Sequence, residues 1–295
     1  MSVLSGMTGF ARVAGEADWG GWAWEAKSVN GRGLDVRVNT PPGFDGLDRA
    51  VKAIASKAFN RGSLQVSLRI ELSDQAGGAV IDEALLSSLK DAAERAHGGA
   101  LSSEAIATLM TMKGVVETGS TSLRDVAADE GAMSLLLKSA EQVIKELEVA
   151  RHAEGVSLAS MLGELVEEMS AVTDSAISLA AEQPALLKAR LSKQLEELGA
   201  EQKIDPDRLA AELALTAAKA DVREELDRLQ AHFQSARELM SAGSPVGRKL
   251  DFLAQELNRE ANTLCSKSIS LDLTNAGLSL KGTIDQFKEQ AANVE

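Results

Sequence analysis

Along residues 1–72, apolar side chains recur at every second position. Trp22, Trp24 and Ala26 share one face of a run that ends at Val29, and Leu34, Val36 and Val38 alternate with Asp35, Arg37 and Asn39. Leu64, Val66, Leu68, Ile70 and Leu72 form the cleanest period-two run in the chain. All three runs predict strands. Asn30-Gly31-Arg32-Gly33 carries turn chemistry and predicts that the first two runs form a hairpin with a long loop. Pro41-Pro42-Gly43 breaks the chain, and residues 44–59 read as an amphipathic helix. A small sheet with a helix on one face follows.

From about residue 80 the spacing becomes helical. Residues 82–97 and 101–112 read as short helices separated at Gly98-Gly99. A long helical stretch begins near Asp129, with Leu158, Met161, Leu162, Leu165 and Met169 at core spacing. Pro184 and Pro206 punctuate the helices, and Asp205-Pro206 and Ser244-Pro245 each read as a cap followed by proline at the first helical position. The fold class is therefore α+β and predominantly α-helical, a small N-terminal β-sheet with a helix followed by long helices. It divides into an N-terminal α/β region at 1–128, a helical middle at 129–204 and a C-terminal helical region at 205–295.

Composition narrows the function classes. Nine of the 295 residues are aromatic, so Leu, Ala and Val must fill the core. One cysteine, Cys265, excludes an intrachain disulfide framework and a cysteine-rich zinc site. No apolar run approaches the roughly 18 residues of a membrane span, and the first residues lack the pattern of a secretory signal. A cytoplasmic protein without membrane partners is expected. The net charge of −13 argues against a nucleic-acid partner until it is divided along the chain. Residues 1–72 carry net +2, residues 73–243 carry −14, and residues 244–295 carry −1. Both ends can meet a polyanion locally.

Two polar helix faces carry candidate chemistry. Read as one helix from Pro206 to Met240, the chain lines up Asp221, Glu225, Arg228 and His232 on one face and Val222, Leu226, Leu229, Phe233 and Met240 on another. A histidine with two carboxylates at that spacing suits a divalent cation or acid–base work; a solvated face laced with i,i+4 pairs is the structural alternative. From Ser244 to Leu264 the buried stripe is Leu250, Leu253, Leu257, Ala261 and Leu264. The opposite face bears Arg248, Asp251, Gln255, Asn258, Arg259 and Asn262, with Glu256 and Glu260 at its edge. Asparagine is a poor helix former, so this mixture suits either phosphate and metal chemistry or a polar network between helices.

These segments resemble a known family. Asp221 to His232 and Val246 to Ser268 closely resemble the C-terminal signature of the bacterial YicC/YloC family, and Met7 to Arg12 and Lys27 to Asp35 resemble its N-terminal motifs. Arg151 to Gly155 and Ile284 to Glu295 fit as well, in the right order. Many members carry bulkier residues, often a histidine at the first, where this chain has Gly31 and Gly33.

The resemblance implies a metal-dependent endoribonuclease, a stress-induced protein of RNA turnover that cuts single-stranded or structured RNA as a ring-like homohexamer. Phosphodiester cleavage needs charge stabilisation and an activated water or 2′-OH, which a divalent cation such as Mn2+ or Mg2+ supplies. The expected metal ligands are Asp221, Glu225, His232, Asp251 and Glu256, and the expected catalytic groups are Asp251, Glu256, His232 and Glu260. Lys27, Arg32, Arg61, Arg248, Arg259 and Lys267 are the expected contacts to the RNA backbone. Scarce aromatics predict little base stacking. A non-catalytic RNA-binding adaptor and an oligomeric helical scaffold are the alternatives.

Overall fold

The computed structural model describes residues 4–73, 79–118, 122–197 and 205–295. The boundary expected at 204 falls among residues 198–204, which lie outside the described residues. Strands β1 (Gly9–Ala17), β2 (Gly20–Val29), β3 (Leu34–Asn39) and β4 (Gly62–Leu72) form one sheet in the order β1-β2-β4-β3. β2 runs antiparallel to both β1 and β4, whereas β3 and β4 are parallel, Val36 opposite Leu64. The expected hairpin between the second and third strands is therefore absent: β4 lies between them. Helix α1 (Asp45–Ala58) supplies the crossover that parallel pairing requires.

The inner face of the sheet, with Trp24, Ala26, Leu64 and Val66, packs on Leu47, Val51 and Ala55 of α1 and on the start of α5 (Glu130–Glu197). Asp129 starts α5 by accepting from the backbone N–H groups of Gly131 at 3.0 Å and Ala132 at 3.2 Å. Helix α5 has 68 residues, which is about 100 Å at 1.5 Å per residue. Leu136, Val143 and Leu147 serve the sheet core. Leu158, Leu162, Val166 and Met169 serve a second core with helices α7 (Arg223–Ala242), α8 (Gly247–Lys267) and α9 (Leu271–Ala291). Within the expected stripe of α5, Met161 is the exposed exception.

Before α5 come β5 (Ala79–Ile81), α2 (Glu83–His97), α3 (Ser103–Met110), β6 (Val116–Thr118) and α4 (Leu123–Ala128). Helices α2 and α3 have no buried residue. Pro184 does not end α5 but lies inside it, since a proline removes one ladder bond without removing the packing around it. The run from Pro206 to Met240 is not one helix. It divides into α6 (Pro206–Lys219) and α7 at Ala220–Val222, so Asp221 precedes α7 and accepts from the Arg223 N–H at 3.0 Å. Asp205 caps α6 as expected. Ser244 does not cap α8, whose cap position is Val246; its hydroxyl accepts from the Ser5 N–H at 2.8 Å.

The two ends of the chain are tied to α5 and α8. Gly155 has no side chain because Leu4 O would lie 1.9 Å from a β-carbon there, and Gly247 has none because Val294 O would lie 2.0 Å away. Glu154 accepts from both the N–H and the hydroxyl of Thr8. The Glu295 carbonyl accepts from Val246 N at 2.9 Å and Gly247 N at 3.1 Å, so the closing segment covers the first amides of α8.

Candidate active site and RNA-facing surface

Helices α7 and α8 pack antiparallel, and their facing edges carry a ladder of polar pairs. Glu225 accepts from Lys267 Nζ at 2.8 Å, and Arg228 reaches Glu260 at 3.5 Å while also pairing with Glu224. One turn further along α7, His232 meets Glu256 and Glu260, and ligand atoms of these three all lie within 4.8 Å of one another. His232 and Glu256 are half-buried and Glu260 is buried. The pattern follows from helix geometry. Glu256 and Glu260 are one turn apart on α8, so one histidine on the facing helix can reach both.

The other expected acids lie elsewhere. Asp221 is spent on the start of α7, and Asp251 accepts from Gln255 Nε2 at 3.2 Å on its own helix. Glu225 is buried with one oxygen held by Lys267 and the other without a hydrogen-bond partner among the described residues. The structure therefore brings together His232, Glu256 and Glu260 and leaves Asp221, Glu225 and Asp251 outside the cluster. A histidine nitrogen with two carboxylates is a donor set that suits a hard or borderline divalent cation.

Lys267 is held above the ordinary lysine value of 10.5, chiefly by its hydrogen bond to Glu225. Its ammonium stabilises a buried carboxylate before it is offered to a phosphate. The asparagines of α8 belong partly to a network between helices: Asn258 donates to Asp285 of α9 at 3.3 Å and Asn262 donates to Asn258 at 2.8 Å. Cys265 packs toward Gly277 of α9, and burial pushes its thiol up.

The basic residues gather at the opposite end of α8. The Arg248 guanidinium donates to Arg32 O at 3.3 Å, and Arg61 Nε donates to Gly31 O at 3.3 Å. Arg61, Gly247, Arg248, Lys249 and Glu295 line a cavity of about 360 Å³ beside the first turn of α8. Arg32, Arg61 and Arg248 thus converge from a loop, the start of a strand and a helix. Lys27 is exposed on the outer face of β2, and Arg259 is exposed further along α8. Lys249 is a cavity residue that sequence reasoning passed over. The signal was present: it precedes Glu256 and Glu260 by seven and eleven positions and so shares their side of the helix.

An ion pair supports this surface from within. The Arg151 guanidinium, fully buried, lies 3.0 Å from the Glu295 carboxylate. It also donates to Gly6 O at 2.7 Å and Arg61 O at 3.1 Å and stacks over Phe59 at 4.6 Å. Glu295 in turn accepts from the N–H groups of Asn60 and Arg61.

Both parts of the chain have counterparts among known proteins. Residues 4–160 match the family described as Endoribonuclease YicC-like, N-terminal region, and residues 176–295 match Endoribonuclease YicC-like, C-terminal. The chain is 34% identical over 301 residues to a "Probable endoribonuclease YicC" of Haemophilus influenzae, covering 99% of this chain and 100% of that protein. It is 26% identical over 298 residues to a protein of the same description from Clostridioides difficile, covering 98% and 99%.

Proposed function

The chain belongs to the YicC-like endoribonuclease family, and from that premise we propose that it is a divalent-metal-dependent endoribonuclease of RNA turnover. The observation that carries this reading is the convergence of His232, Glu256 and Glu260 across the α7–α8 seam. Those three residues would hold Mn2+ or Mg2+, which when bound supplies a lowered water pKa and charge stabilisation at the phosphate.

The remaining chemistry falls to the chain itself. His232 sits within reach of both carboxylates, and with one ring nitrogen given to the cation only its other nitrogen is left to accept or return a proton during phosphodiester cleavage. Arg228, next to Glu260, places a permanent positive charge at the edge of the cluster. Arg32, Arg61, Arg248 and Lys249 would hold the RNA backbone at the other end of α8. From Arg248 to Glu256 the helix advances about 12 Å, so the phosphate held at the basic cavity is not the one that is cut. The resemblance to the family extends this proposal to a homohexamer acting in the cytoplasm.

The test is cleavage of labelled RNA with Mn2+ or Mg2+. Internal cuts that vanish with EDTA and in Glu256→Gln and Glu260→Gln are expected; cuts that persist under all three conditions overturn the reading. A 2′,3′-cyclic phosphate end identifies attack by the 2′-OH, whereas a 5′-phosphate with a 3′-OH identifies attack by water.

A further inference from the structure

Four of the six phenylalanines, Phe44, Phe59, Phe233 and Phe287, are buried in the two cores. Phe252 is not. It stands on α8 with 63% of its surface exposed, off the buried stripe of Leu250, Leu253, Leu257, Ala261 and Leu264. Folding gains little from a ring so placed, which leaves a flat apolar face presented to solvent.

Its neighbours say what that face can meet. Glu256, of the His232–Glu256–Glu260 cluster, is one helical turn ahead of Phe252, and Arg248 and Lys249, of the basic cavity, are one turn behind. Helical side chains lean toward the N-terminus, so the ring covers the turn between the acidic cluster and the cations. A polynucleotide running from the cavity to the cluster must pass over it. Its phosphates suit Arg248 and Lys249, and its bases offer the one flat surface that complements an exposed phenyl ring.

We infer that Phe252 is a stacking platform for an RNA base between the phosphate held at the α8 N-terminus and the phosphate that is cut. This rests on the endoribonuclease reading and adds to it a substrate class: the strand must be unpaired at that nucleotide, because a base held in a duplex has no free face to stack. The scarcity of aromatics thus gives one local stacking contact rather than none.

Binding of single-stranded RNA to the full-length protein in EDTA tests this separately from cutting. Phe252→Ala is expected to weaken binding about tenfold, the scale of one lost base–aromatic stack. Phe252→Tyr is expected to bind as the unaltered protein does, and Phe252→Leu, which keeps apolar bulk without the ring, to bind as weakly as Phe252→Ala. An abasic nucleotide moved along the RNA should weaken the unaltered protein at one position and leave Phe252→Ala unaffected there. Phe252→Leu binding normally, or no such abasic position, overturns the inference. So does a change of assembly mass in Phe252→Ala with unaltered RNA affinity, which would make the ring a contact between copies. If the unaltered protein neither binds RNA in EDTA nor cuts it with Mn2+, the proposed function fails and this inference with it; if it cuts RNA but binds none in EDTA, or binds and Phe252→Ala binds equally, only this inference fails.

Discussion

Arg151 and Glu295 stand 144 positions apart and meet in a fully buried ion pair at 3.0 Å. Burial alone pulls the Arg151 guanidinium down from its ordinary value, and the charges of Glu295 and Glu154 oppose that shift. Removing one member strands the other as an unpaired buried charge, which costs about 3–5 kcal/mol. Urea unfolding of Glu295→Gln should show a loss on that scale. Arg151→Met combined with Glu295→Gln should lose less than the two single changes added together. Full additivity would mean that the two side chains are not coupled.

The cation assignment predicts which carboxylates matter. Mn2+ at about a hundred times its dissociation constant should stabilise the protein by about 2.7 kcal/mol, read as a rise in melting temperature. His232→Ala, Glu256→Gln and Glu260→Gln should each abolish the rise. Asp221→Asn should keep it, because that carboxylate is engaged with the Arg223 amide. Loss of the rise in Asp221→Asn with retention in Glu256→Gln would relocate the cation to the α6–α7 joint.

Much of the fold was legible because burial sets periodicity. The stripe from Leu250 to Leu264 and the alternation from Leu64 to Leu72 mark α8 and β4 directly. Strand order was not legible from alternation: the same pattern fits β2 and β3 as a hairpin or as strands separated by β4. The strand–helix–strand succession 34–72 was the better guide, since a helix between two strands favours a parallel pair. The break at Ala220–Val222 carries neither proline nor glycine, and its one local signal is Asp221 with Glu224 three positions on, a helix-start pattern inside an otherwise helical run. At the site, spacing within one helix grouped Asp221, Glu225 and His232. What decides the cluster is the register between α7 and α8, and that is fixed by the packing of Leu226, Leu229, Leu257 and Leu264. The partners of Arg151, likewise, are visible only once the chain ends are in place.

Salt dependence separates phosphate contacts from structural cations. Each cation that neutralises a phosphate of a single strand contributes about 0.7 to the slope of log affinity against log salt. Lys249→Gln should lower the slope by that amount without changing the melting temperature, whereas Arg248→Gln should lower the slope equally and also give up its bond to Arg32 O. Arg61→Gln should lower both, because Arg61 also donates to Gly31 O and Val294 O. An unchanged slope in Arg248→Gln would remove the cavity from the RNA path.

Lys267 presents the opposite case, and pH exposes it. Its folded-state value is raised by the hydrogen bond to Glu225, so the pair contributes fully below the ordinary lysine value of 10.5 and loses its contribution as pH climbs through the raised value. The unaltered protein should therefore lose this one pair's contribution in that alkaline window. Lys267→Met should lose about 1–3 kcal/mol at neutral pH, since Glu225 is left buried without its donor. The variant should then lack the contribution of this pair to the alkaline decline. Replacing both residues, Lys267→Met with Glu225→Leu, should recover much of the loss, because two apolar groups can fill the space of a buried pair. If Lys267→Met instead leaves stability intact and lowers the salt slope of RNA binding, the ammonium serves the phosphate backbone and the pair with Glu225 contributes nothing to folding.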